Sequence, residues 1–463
     1  MRALQELEKS SKSNGPTWTS NCTGVRVAHI RSLIIQNLFL FTMRIKDVYT
    51  SPGLTGYFFD DLEAIKQGAT LDGAIYNGAP VTHGFSKVRQ RGESVSIMLE
   101  LEDGEIAIGD CSAVQYSGIA GRDPVFAASN LINTIKNFLS PRLTGLELRN
   151  FKSLCNWVDE LELSGKKLHS AIRYGVTQAI LDAFSKSESK TMTEVIADSY
   201  GLQISHKMIP MFSQSGGERY SNVDKMILKG VKVLPHGLIN SPKLLGSNGR
   251  DLIEYVEWVK DRIIKIGGED YSATILLGVY GTLGEVFNNN LETVAHYLTQ
   301  LEKTAQPFPL WIETPILAAS KNRQIEESKS LKTHLEKLDS KVKLVADEWC
   351  TSLDDVKTFC DERAADVINI MTPQFGTINN AVEAVLYCKK SGVGAYVAGS
   401  CNETDISARV SAHIALATNA ELVAAKPGMG VDEGIMIVYN EMQRALAMIA
   451  KRARLKDKSA LTS

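Results

Sequence analysis

At 463 residues with a formal net charge of −2, the chain is too long for one ordinary core and has no basic excess that would hold nucleic acid. With 44% hydrophobic and 22% charged residues it has the composition of a soluble globular protein, and no apolar run is long enough to cross a bilayer. The seven cysteines (Cys22, Cys111, Cys155, Cys350, Cys360, Cys388 and Cys401) show no C-x-x-C spacing, which fits reduced thiols in an intracellular compartment better than a disulfide framework or a zinc site.

The chain divides into three parts. Residues 1–42 are mildly basic, with Arg2, Lys9, Lys12, Arg26 and Arg31 against Glu6 and Glu8, and the apolar run 32–41 is interrupted by Gln36 and Asn37. Transit peptides are poor in acids, so organellar import is the weaker reading here; the expectation is a disordered extension ahead of Met43 and a cytoplasmic protein.

Residues 43–203 read as an α+β domain. Residues 43–53 (MRIKDVYTSPG) alternate like a strand that is expected to stop at Pro52-Gly53. Residues 94–111 are two alternating runs joined by Asp103-Gly104, a hairpin signal. Helical patterns follow at 124–143 and 168–186.

From 204 to 463, short apolar runs alternate with amphipathic segments such as 251–266 and 325–338. The runs are IPMFS, VKVLP, TILLGV, PLWIE, KLVAD, VINIM, GAYVAG and ELVAAK. Eight such strands with intervening helices, and no fixed-period repeat, predict a β/α barrel. The fold class is therefore α/β: an α+β capping domain followed by a (β/α)8 barrel.

Several runs end on a polar side chain: Gln214, His236, Glu313, Asp347, Ser400 and Cys401. The C-terminal rim of a barrel is where chemistry sits. Glu313 and Asp347 end consecutive strands, and buried carboxylates are costly unless paired or metal-bound. Their oxygens suit a hard cation such as magnesium, although a helix-capping role would also place an acid there. His236 at a strand end is either an acid–base group or a satisfied structural histidine. Gln115 precedes a glycine-rich stretch that suits either a loop covering the barrel mouth or an ordinary turn. The run KPGMGVDEG (426–434) has the glycines of an anion-binding turn but not the dinucleotide fingerprint.

These runs belong to longer motifs, among them SPGLTGYFFDD, VQYSGIAGRDP, LHSAIRYGVTQAILDA, FSQSGGERYSNVDKMI, VLPHGLIN, LVADEWC, CNET and AKPGMGVDEGIMIV. Through them the chain resembles the methylaspartate ammonia-lyases of the enolase superfamily, from Met43 to about Arg452. The resemblance implies a modified, enolase-like barrel behind the capping domain. It implies magnesium-dependent elimination of ammonia from 3-methylaspartate to give mesaconate, a step of amino-acid degradation, and a homodimer acting on a small amino-acid substrate. It assigns Glu313 and Asp347 as two of three metal ligands and His236 as an acid–base residue. Gln115, Gln214, Asn369, Ser400 and Cys401 match substrate-contacting positions. Four positions depart from the family pattern. Gly278 stands where the pattern has the third metal-ligand Asp, and Met371 where it has the Lys base. Asn369 replaces a Gln, and Ser400 replaces a Thr. A thioether has no proton to exchange and is a poor ligand for a hard ion. The resemblance thus leaves two readings: an ammonia-lyase impaired in turnover, or a non-catalytic relative acting as a binding or regulatory protein. An unrelated phosphate-binding barrel enzyme has only the glycines near 428–434 in its favour.

Overall fold

The computed structural model describes residues 43–460, with side chains up to residue 455. The expectations for residues 1–42, and Cys22, lie outside the described residues.

A three-stranded antiparallel sheet opens the described chain. Its strands are β1 (Ile45–Asp60), β4 (Arg89–Leu101) and β5 (Ile106–Cys111), in the order β1-β4-β5. Two short ribbons accompany it, β2 (Thr70–Asp72) with β3 (Ile75–Asn77) and β6 (Glu162–Leu163) with β7 (Lys166–Lys167). β4 and β5 are joined at Asp103-Gly104 as a hairpin, with Leu99 opposite Ala107 and Val95 opposite Cys111. The strand predicted to stop at Pro52-Gly53 does not stop. β1 runs on to Asp60, with Pro52 opposite Val95 and Gly53 opposite Ser94. β1 is an edge strand, and the missing N–H of a proline is tolerated on an open edge.

Helix Ser170–Ser187 covers this sheet, almost entirely buried. Its contact with β5 is close because both surfaces carry glycine: a Cβ on Gly109 would collide with the backbone oxygen of Gly175. The segment 124–143, expected as one helix, is an α-helix at Ala128–Thr134, a π-turn at Ile135–Leu139 and a last turn at Ser140–Leu143.

The eight apolar runs form a closed parallel barrel. Its strands are β8 (Met211–Phe212), β9 (Val233–His236), β10 (Thr274–Gly278), β11 (Leu310–Glu313), β12 (Lys343–Ala346), β13 (Val367–Ile370), β14 (Gly394–Val397) and β15 (Leu422–Ala424). Each pairs with the next, and β15 closes on β8. All eight strands contribute to one interior cluster that includes Phe212, Leu276, Trp311, Val367 and Tyr396. Burying each such side chain stabilises the fold by about 1.5–3 kcal/mol, so the barrel interior is a packed core and not a channel.

The loop CNET (401–404) fastens the sheet to the barrel. The Gly56 amide donates to the Glu403 carbonyl at 2.9 Å, Thr55 Oγ1 donates to Asn402 Oδ1 at 2.8 Å, and Asn402 Nδ2 donates to the Phe58 carbonyl at 2.9 Å. Thr404 caps helix Asp405–Thr418 by accepting from the Ser407 amide. The six cysteines among the described residues are free and buried, and Cys360 and Cys388 lie with their sulfurs 3.8 Å apart.

Candidate active site

Among the cavities that adjoin the C-terminal rim of the barrel, two bear on the site. The larger, about 310 Å³, is lined chiefly by apolar groups such as Ile65, Leu71, Leu238 and Leu244, with no acid in its lining. The smaller, about 40 Å³, is lined by Gln115, Gln214, His236, Glu313, Asp347, Asn369, Met371, Ser400 and Cys401, with Arg122, Tyr280 and Lys426. Convergent polar and titratable groups outweigh volume, so the smaller cavity is the candidate site. The rim also carries the backbone strain common at such sites. His236, Tyr280, Thr314 and Trp349, each at or just beyond a strand end, have φ of 63°, 49°, 48° and 66°.

Glu313 ends β11, and Asp347 follows β12, the next strand. Each oxygen of Glu313 has one protein partner, which leaves a further lone pair on each. Its Oε1 lies 3.4 Å from His236 Nε2, and its Oε2 accepts from the Tyr396 hydroxyl. Burial pushes its carboxyl up, but the hydrogen bond and charge of His236, the Tyr396 hydroxyl and Lys426 outweigh it and hold the group below the ordinary carboxylate range. Asp347 is the opposite case. Its Oδ2 accepts from Arg122 Nη2 at 3.0 Å, while its Oδ1 is buried without a partner. Burial, with Glu348 and Glu313 close by, raises its carboxyl well above the ordinary range despite Arg122.

A bare buried carboxylate oxygen fits a hard cation. The side chains fit one held by two carboxylates, Glu313 and Asp347. Gly278 offers no donor, and among the described residues no cluster of three His, Cys, Asp or Glu side chains closes on one point. Glu348 does not fill the gap: it is not among the side chains that line this cavity, its Oε2 accepts from the Thr314 hydroxyl, and its Oε1 lies 3.7 Å from Arg122 Nη2.

His236 is 1% exposed and packs at 5.7 Å, edge to face, against Tyr280 and at 6.0 Å against Phe212. Its Nδ1 is buried without a partner. Gln115 reaches from the cap: its Nε2 donates to Asp60 Oδ2 at 2.8 Å, and its Oε1 accepts from Cys401 Sγ at 3.3 Å. Burial pushes the Cys401 thiol up to about 11, so at neutral pH it is a donor and not a thiolate. Asn369 Oδ1 is another buried acceptor without a partner. Met371 lines the cavity just beyond β13.

Four further side chains at the site were not singled out from the sequence. Arg122 arrives from the glycine-rich loop of the cap, donating to Asp347 and, at 3.1 Å, to Gln374. Tyr396 lies inside β14 and Tyr280 two residues beyond β10, positions no rim rule selects. Lys426 was within reach, because it ends the eighth apolar run as Glu313 ends the fourth. Its Nζ donates to Gln214 Oε1 at 2.7 Å.

Comparison with known proteins supplies the setting for this geometry. The family profile for the methylaspartate ammonia-lyase N-terminus matches residues 43–201, and that for the C-terminus matches residues 203–451. Methylaspartate ammonia-lyase 1 of Carboxydothermus hydrogenoformans is 52% identical over 410 residues, 88% of this chain and 98% of the relative. The structure of β-methylaspartase from Clostridium tetanomorphum, solved as a magnesium complex, is 49% identical with a TM-score of 0.82, covering 88% of this chain and all of that one. The methylaspartate ammonia-lyase of Citrobacter amalonaticus, solved with (2S,3S)-3-methylaspartic acid, is 46% identical with a TM-score of 0.85 over 88% of this chain and all of that one.

Proposed function

The chain belongs to the methylaspartate ammonia-lyase family and is a carbon–nitrogen lyase, and we propose that it eliminates ammonia from 3-methylaspartate to give mesaconate, with His236 in place of the family lysine as its proton-transfer residue and Mg2+ held by Glu313 and Asp347. One observation supports the reading above the others: the side chains matched to family site positions line one cavity at the barrel rim, with a buried bare oxygen on Asp347.

The proton to be removed lies beside a substrate carboxylate and is barely acidic. Bound magnesium stabilises the negative charge that builds on that carboxylate. The chain's own residues do the rest. His236 accepts the proton, its ring held by Tyr280 and Phe212. Asn369 Oδ1 is free to accept from the substrate ammonium, orienting the group that leaves. Gln115 and Cys401, fixed on each other, contact the substrate from the cap and from the barrel. Ser400 supplies a hydroxyl where the family has threonine. Met371 forms an apolar wall, and a thioether there exchanges no proton. Turnover is therefore expected to be slower than with two bases, since a general base contributes ~10²–10⁴-fold. The resemblance also implies a homodimer.

The test is the growth of mesaconate absorbance when purified protein is given each 3-methylaspartate epimer with magnesium. Slow, magnesium-dependent formation is expected. Tight substrate binding with no product from either epimer would favour the non-catalytic relative instead.

A further inference from the structure

We propose that Lys426 is the receptor for a carboxylate of the substrate, and that it binds this group whether or not the cation is present. The proposal deepens the lyase reading and rests on it for the identity of the ligand, a small dicarboxylate.

Lys426 lies two residues beyond the last barrel strand, is 3% exposed and lines the same cavity as Glu313 and Asp347. An ammonium has three N–H donors. Here one of them is used, on the neutral amide oxygen of Gln214 at 2.7 Å. Among the described residues no carboxylate lies within ion-pair distance of Nζ, although Glu313, Glu403 and Asp347 are near enough to act on its charge. Burial outweighs their pull and lowers the ammonium below its ordinary value. A buried cation without a counter-ion is costly, and an arriving anion removes that cost.

The other buried cation in the cavity is already committed. Arg122 spends its guanidinium on Asp347 at 3.0 Å and Gln374 at 3.1 Å. A substrate with two carboxylates needs two positive partners. The cation at Glu313 and Asp347 serves one, and Lys426 is the group left to serve the other. Its anchor Gln214 and its neighbour Cys401 are both positions matched to substrate contact, so the ammonium stands among side chains that the reading places against substrate.

The test is calorimetric titration of the full-length protein, stripped of divalent ions with EDTA, with mesaconate and with succinate. Wild type, Lys426→Met and the charge-keeping Lys426→Arg are compared, with thermal melts to check folding. Wild type is expected to bind the dianions without metal. Lys426→Met is expected to weaken binding about tenfold or more, and Lys426→Arg to stay within about tenfold of wild type. If Lys426→Met does not fold, Lys426→Gln carries the same expectation. Unchanged binding in a folded Lys426→Met or Lys426→Gln protein, or no dianion binding by metal-free wild type, overturns the proposal. Succinate binding that depends on Lys426, with no binding of mesaconate, upholds the carboxylate receptor and counts against the lyase reading.

Discussion

The imidazole of His236 occupies the volume that a side chain on Gly278 would need: a Cβ built on Gly278 would fall on the ring at Nε2 and Cε1. The two residues sit at the ends of neighbouring strands, with His236 paired to Leu277 and Gly278 one residue further on. The absence of a side chain at 278 therefore leaves no donor at that position and gives the ring room to approach Glu313. Gly278→Ala is expected to cost about 1–3 kcal/mol by forcing the ring aside. In a His236→Ala background the same change is expected to cost under about 1 kcal/mol. Urea denaturation of the four proteins gives the coupling energy directly. An additive cycle would mean that ring and glycine are independent.

Magnesium is expected to bind weakly, because two carboxylates face it where the family pattern has three. Calorimetric titration of wild type, Glu313→Gln and Asp347→Asn checks this, with little heat left in either variant. Binding as tight as in an intact three-carboxylate family member would mean that another acid completes the site.

Arg122 and Asp347 form a buried pair across the cap and the barrel, with side chains 2% and 3% exposed. Arg122→Met leaves Asp347 and Glu348 without their cation, and is expected to destabilise the fold by about 3–5 kcal/mol. Added magnesium is expected to recover part of that loss. Chemical denaturation with and without 10–20 mM magnesium (roughly, a concentration chosen to exceed weak binding) measures both effects.

Glu403 is fully buried in the loop that fastens the cap, and burial pushes its carboxyl from 4.5 up to about 7, against hydrogen bonds from Ser407 and Tyr174. Between those values the folded chain keeps a proton that the unfolded chain has released. Its contribution to stability therefore falls as pH rises from about 4.5 through about 7. Glu403→Gln removes that fall. Relative to wild type it is expected to gain stability between pH 5 and pH 8, by at most about 3 kcal/mol. Melting curves at both pH values check the sign, and a difference that does not change with pH would show that Glu403 is already ionised at pH 5.

The barrel was legible because parallel strands buried on both faces read as short continuous apolar runs. Even β8, only Met211–Phe212, stood out as IPMFS. The same rule found Glu313, Asp347 and His236, since each ends its run. Other features depend on neighbours that are distant in sequence. β1 continues through Pro52-Gly53 because it lies on a sheet edge, and an isolated Pro-Gly cannot report that. Arg122 was visible in GRDP, but its destination is 225 residues away. Lys426 ended a strand like the acids, yet the glycines after it drew the reading toward an anion-binding turn. The overlap of His236 with Gly278 needs the register of two strands and the orientation of one ring.

The most direct test of the account is the initial rate of mesaconate formation from each 3-methylaspartate epimer, by wild type and by His236→Ala, at saturating magnesium. In the family reading His and Lys face each other across the substrate, so with Met371 on one side only the proton facing His236 has a base. The account predicts that wild type prefers that epimer, and that His236→Ala lowers the rate on it by ~10²–10⁴-fold. Strong wild-type activity on the other epimer, unchanged by His236→Ala, would contradict it.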